Sequence, residues 1–148
     1  MKSHPTAKSI VPHQTLEQLE SDFWGEPPVG VSSLVSKCYE LRRKRINDFE
    51  AGDFRILIGQ QIGLPFLVPF AINLLDDNAF IEGDYYEGDL LKSVLTINPE
   101  FWKANPELKE NITRIFERNK DTLTHEAPID QKIKAELIEA YSNLLSLR

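Results

Sequence analysis

Six carboxylates, Asp76, Asp77, Glu82, Asp84, Glu87 and Asp89, share the stretch 76–89 with Tyr85 and Tyr86. Oxygen donors at this density can hold calcium, act as acid and base, or meet a basic protein. The run DDNAFIEGDYYEGD does not follow the EF-hand ligand spacing and lacks its terminal bidentate glutamate in register. A solvated connection and a protein-docking surface are the readings that stay open. The interleaved tyrosines speak for docking, because tyrosine offers a rigid contact face while carboxylates steer a basic partner.

No other catalytic constellation is present in the chain. His4, His13 and His125 stand apart, and no HxxxH, HExxH or CxxC spacing exists, so neither a metal site nor a catalytic residue is assigned. GxSxG, P-loop and dinucleotide-binding glycine patterns are absent as well. The single cysteine, Cys38, falls on the apolar stripe of a helix and reads as core. No cofactor is expected.

The acidic segment follows the uncharged run Ile56–Leu75, ILIGQQIGLPFLVPFAINLL. Twenty such residues are long enough to cross a bilayer, and its twelve Leu, Ile, Val and Phe residues favour insertion by roughly 4 to 7 kcal/mol. Gln60, Gln61, Asn73 and the breakers Gly59, Gly63, Pro65 and Pro69 oppose that reading. Gly63-Leu64-Pro65 marks the end of one helix and the start of the next, with proline in its first turn. The run is therefore expected to form two consecutive core helices, bent at Gly63 and Pro65. Gln60 and Gln61 are expected to reach between them as structural core residues that satisfy the broken backbone.

Around this pair the sequence predicts an all-α fold, a compact single-domain bundle of about seven helices. Residues 1–14 read as a loose arm and 15–148 as one helical domain. Thr15 and Gln18 form a capping box, and a helix from Ser33 through Leu41 precedes Arg42-Arg43-Lys44-Arg45. That basic tetrad can serve nucleic acid or a membrane surface, or be a solvated helix end paired with Glu40, Asp48 or Glu50. Phe23 and Trp24 are expected to dock on the domain. Asn98-Pro99-Glu100 and Asn105-Pro106-Glu107 repeat one capping chemistry, and apolar stripes predict helices through Leu108–Phe116 and from about Ile129.

A net charge of −6 argues against direct nucleic-acid binding, which needs cations to displace counterions. Between Arg55 and Lys92 there is no basic residue, so the window alone carries −6. One cysteine and no apolar leader suit the cytoplasm, with no membrane association.

The stretches LEQLESDFWGEPP, SSLVSKCYELRRKRI, FRILIGQQIGLPFLVPFAINLLDDNAFIEGDYYEGDLLKSVL and EFWKANPEL resemble, in this order, a family of immunity proteins of bacterial contact-dependent growth inhibition (CDI) systems. The segments IGQQIGLPFLVPFA and EGDYYEGDLL are its most specific parts, and the similarity runs from about Thr15 to Leu108. The resemblance implies a cytoplasmic, non-catalytic protein that binds a cognate toxin C-terminal domain, one to one, and occludes it. Toxin domains of such systems are often nucleases with basic clefts. Gly52, near the start of the core helix, stands where a better helix former is expected. A helical adaptor with a non-toxin partner is the alternative. Physics nominates the toxin-binding residues as Asp76, Asp77, Glu82, Asp84, Tyr85, Tyr86, Glu87 and Asp89.

Overall fold

The computed structural model describes residues 13–147. Among them eight α-helices follow in order: α1 (Leu16–Glu20), α2 (Ser33–Arg42), α3 (Ala51–Gly59), α4 (Leu64–Asp77), α5 (Asp89–Leu95), α6 (Pro99–Ala104), α7 (Pro106–His125) and α8 (Gln131–Leu145). A 3-10 turn, Ile46–Asp48, lies between α2 and α3. Extended pairing among the described residues is limited to two isolated bridges, Thr15 with Arg45 and Glu82 with Glu87. The all-α architecture expected from the sequence is the one observed. The arm expected over 1–14 lies outside the described residues save for its last two. Of these, Gln14 accepts a hydrogen bond from the Ile46 amide through its carbonyl.

α1, α2 and α6 start where their caps dictate, whereas Asn105, expected to repeat the Asn98 cap at the start of α7, makes no such bond and instead donates from Nδ2 to the Phe101 carbonyl. Thr15 Oγ1 accepts from the Gln18 amide and the Gln18 side chain accepts from the Thr15 amide. Ser32 caps α2 and Asn98 caps α6 in the same way. Each side-chain oxygen satisfies an amide that the first turn of a helix leaves without a partner.

The apolar run folds as a consecutive pair. Leu57, Ile58, Leu67, Val68, Ala71 and Leu75 are buried, and α3 and α4 pack on one another. Each large aliphatic side chain withdrawn from water contributes about 1.5–3 kcal/mol. Pro69 sits inside α4 without ending it. Its missing amide deprives only the carbonyl of Pro65, itself an exposed residue of the first turn. No helix among the described residues is long and apolar enough to cross a membrane.

The turn between the pair departs from the sequence expectation. Gln60, Gln61 and Pro65 are exposed, and only Gly63 of the four nominated core residues is buried. Gln60 ends α3, and Gln61 adopts φ 60° to reverse the chain. The Gln61 side chain then turns away from the pair: its Oε1 accepts from the Asn98 amide (3.1 Å) and from Asn98 Nδ2 (2.8 Å), tying the turn to the start of α6. Gly63 combines φ +67° with contact against Leu16, whose Cδ1 would lie 2.7 Å from a Cβ at this position. Backbone geometry and packing both require glycine there.

α5 packs against α3 and α8, α4 against α7, and α7 against α8. Two polar ties reinforce the docking of α8. Tyr141 Oη donates to Glu117 at 2.5 Å while its ring stacks on Phe116, and Lys92 Nζ meets Glu136 Oε1 at 2.7 Å. Burial, then the bond to Glu117, pushes the Tyr141 phenol far above its ordinary range. The hydrogen bond from Tyr141 lowers Glu117, and that from Lys92 lowers Glu136.

Candidate functional site

The connection between α4 and α5, residues 78–88, carries the acidic and tyrosine side chains, and its shape is set from inside by two residues. Asp89, the first residue of α5, is 3% exposed. Its carboxylate accepts the amides of Gly83 (2.6 Å), Tyr85 (3.0 Å) and Tyr86 (3.3 Å). Arg55 reaches across from α3. Its Nε donates to the Gly83 carbonyl at 2.5 Å and lies 3.6 Å from Asp89 Oδ2, and its guanidinium carbon is 4.1 Å from the centroid of the Tyr85 ring. One cation thus touches the backbone, a buried anion and an aromatic face of the same loop, so the loop is held in one shape.

Close approach to α3 completes the arrangement. A Cβ on Gly52 would lie 1.8 Å from Asp84 Oδ2, so the glycine that is a poor helix former leaves the space that the Asp84 carboxylate occupies. Asp84 itself has φ +87°. It sets its carboxylate over the first turn of α3, where the positive end of the helix dipole favours an anion.

The nominated residues accordingly divide. Asp89 is a buried anchor of the loop and not a contact for a partner, which corrects its assignment. Asp76 is exposed, but it is bound to Arg118 at 2.7 Å and lines a different feature, a cleft of about 360 Å³ between α4 and α7 with Ile72, Asn73, Asn111, Arg114 and Ile115. Asp77, Glu82, Asp84 and Glu87 are exposed and have no ion pair among the described residues. Tyr85 stands 73% exposed among them, and Tyr86 is half-buried. Of the six acids in the window, two are neutralised within the fold and four are left over.

Two of those four face each other. Glu82 and Glu87 occupy opposite positions of an antiparallel bridge, a placement in which like charges repel. Asp77, in the last turn of α4, sits at the helix end that disfavours an anion. The free fold therefore holds negative charge in places where a cation would relieve it.

The basic tetrad has the opposite fate. Arg42 is 1% exposed; it binds Glu20 and the Asp22 carbonyl, and lies 4.3 Å from the centroid of Trp24. Arg43 pairs with Glu26, Lys44 with Asp53, and Arg45 with Asp48. Trp24 also packs edge-on against Tyr39, whereas Phe23, expected to dock beside it, is 67% exposed. Cys38 is buried, and burial raises its thiol pKa, which suits a core residue. No group of three or more His, Cys, Asp or Glu side chains among the described residues could hold a metal ion.

Comparison with known families decides the identity of this arrangement: a family model described as CDI immunity proteins matches residues 18–112. The chain belongs to that family. The matched span runs from α1 into α7 and includes the whole acidic loop, with Gly52, Arg55 and Asp89. No curated protein and no solved structure matches the chain. Membership in the immunity family carries the role of neutralising a toxin, and with it the binding of that cognate toxin.

Arg55 and Gly52 are the residues shaping this loop that sequence reasoning left without a role. Arg55 marked only the edge of a charge-free window. Gly52 was visible as an anomaly, a glycine in the first turn of an apolar helix, and that anomaly was the available signal.

Proposed function

We propose that this immunity protein neutralises its toxin by inserting the loop Asp77–Glu87 into a basic cleft of the cognate toxin's C-terminal domain, one to one. Tyr85 is the central contact and Glu82, Asp84 and Glu87 surround it. The observation that carries this reading is the contrast between the rigidly pinned base of the loop and the four carboxylates left without ion pairs at its surface. A preformed loop loses little conformational freedom on binding, and its field speeds encounter with a cationic surface. A nuclease cleft fits this chemistry, because a site that holds a phosphate backbone presents lysine and arginine. The protein acts in the cytoplasm and needs neither cofactor nor catalysis.

The test is titration of the full chain against the toxin domain encoded beside it. We expect tight 1:1 binding with an association rate that falls as salt rises, since only exposed charges are screened. Replacing Glu82, Asp84 and Glu87 together by lysine should weaken binding at least about a hundredfold, at roughly 1.4 kcal/mol per tenfold, with the helical signal unchanged. Affinity indifferent to that triple reversal would remove the loop from the interface.

A further inference from the structure

The cleft between α4 and α7 has a lining sorted by chemistry. Ile72 and Ile115, both buried, supply its apolar part, and Asn73 and Asn111 supply side-chain amides. Arg114 and Arg118 stand one turn apart on α7. Arg118 is fixed, because its Nη2 donates to the carbonyl of Asp76 (3.0 Å) and to Asp76 Oδ1 (2.7 Å). Arg114 is not. It donates to Asn111 Oδ1 at 3.2 Å, and its one ion pair among the described residues, with exposed Glu110, spans 4.0 Å. An exposed pair at that distance contributes little. The Asn73 side chain makes no hydrogen bond among the described residues. The cleft thus sets two cations against one carboxylate that is already bound. Like charges four residues apart on a helix repel, so an anion entering here relieves a repulsion that the fold leaves in place.

The position of the cleft points to the source of that anion. Asp76, which lines it, and Asp77, the first residue of the loop proposed to enter the toxin, are neighbours in the last turn of α4. A toxin seated on the loop therefore stands beside the cleft. Arg114 and Arg118 repel any basic surface there and attract an acidic one. We propose that the cleft receives the carboxylate of an acidic side chain of the toxin, an inference that rests on the toxin docking at the loop. The Arg114 guanidinium offers the carboxylate a two-pronged bond, Asn73 and Asn111 supply amide donors, and the methylenes of the entering side chain rest on Ile72 and Ile115. A negative loop beside a positive cleft admits only a toxin with the reverse arrangement. The pair fixes the register of docking and rejects toxins that are merely basic. Arg114 and Arg118 lie beyond the family-matched residues 18–112, so family membership alone does not call for them.

The experiment titrates the full chain and its variants against the toxin domain encoded beside it. Arg114→Glu, at an exposed position, should leave the helical signal and the melting temperature unchanged yet weaken toxin binding about tenfold or more. Arg114→Lys keeps the charge without the fork and should fall between the two. Toxin variants in which each exposed Asp or Glu is replaced singly by Lys identify the occupant. One of them should bind the wild-type chain weakly and recover with Arg114→Glu, a recovery that a purely structural role of Arg114 does not produce. Unchanged affinity in Arg114→Glu, while the reversal of Glu82, Asp84 and Glu87 still weakens binding, overturns the cleft and leaves the loop standing. Weakening that no toxin variant rescues overturns the carboxylate as occupant. A loop reversal without effect, measured with the cleft intact, is the separate failure of the loop and removes the premise of this proposal.

Discussion

The basic tetrad Arg42–Arg45 and the acidic loop that follows α4 are the two charge runs of this chain, and the fold treats them in opposite ways. Every cation of the tetrad meets a carboxylate or its equivalent within the domain, and one of them is almost fully buried. Among the described residues the acidic run is answered only at its two ends, by Arg118 at Asp76 and by Arg55 at Asp89. A charge run is thus no evidence of a binding surface until its partners are known. What marks a surface for another molecule is charge the fold leaves unanswered on backbone that it nevertheless holds still.

The sharpest break of this comparison is at the anchor. Asp89→Ala leaves Arg55 without its anion and three loop amides without their acceptor, and should cost about 3–5 kcal/mol in urea unfolding. Toxin affinity should fall with it. A loss below 1 kcal/mol would show that the carboxylate does not hold the loop. Gly52→Ala should cost about 1 kcal/mol, because the exposed Asp84 carboxylate must swing away from the first turn of α3 to clear the new Cβ. Stabilisation by this substitution would mean that the carboxylate moves aside freely. At the tetrad, Arg43→Glu and Arg45→Glu should each change stability by no more than about 1 kcal/mol and leave toxin binding intact. A loss of binding there would erase the distinction between the two runs. The smallest effect belongs to Glu82→Gln. Removing one of two facing glutamates should raise stability by a few tenths of a kcal/mol while weakening binding to the toxin.

Acid tests a third region, the polar ties of α8. Glu117 and Glu136 bind protons less readily in the folded protein than their ordinary value of 4.5. Their contribution is therefore present above that value and is lost as pH falls through the lower folded value. Lys92 is raised above 10.5 by the bond to Glu136, so its contribution is complete below that value and lost in stronger alkali. The ties of α8 should accordingly hold across the neutral range and loosen on acidification below about pH 4.5. In a melting series over that range, Glu117→Gln and Glu136→Gln should show a shallower acid loss than wild type. An unchanged slope would place the acid sensitivity elsewhere.

Much of the scaffold was legible from local rules. The caps at Thr15 and Asn98, the break at Gly63, the prolines in first turns and the apolar stripes of α7 and α8 all act within a few residues of one another. The exposed position of Asp77, Glu82, Asp84, Tyr85 and Glu87 followed from their place after the core pair. Gln61 misled because its partner Asn98 is 37 residues away, and local context offered only the helix break beside it. Asp89 misled because composition counts charges without saying which of them face inward.

Chain order and residue type alone determined that this molecule is helical, that its apolar centre is a pair of helices and that an acidic, tyrosine-bearing connection follows them. These outcomes depend on interactions between near neighbours, which a linear sequence displays directly. Only the tertiary structure decided that Arg55 and Asp89 grip the loop, that Gly52 makes room for Asp84, and that four carboxylates are left facing solvent. Each of those depends on groups brought together from distant parts of the chain, and the energy of a charge is settled by what stands beside it in space.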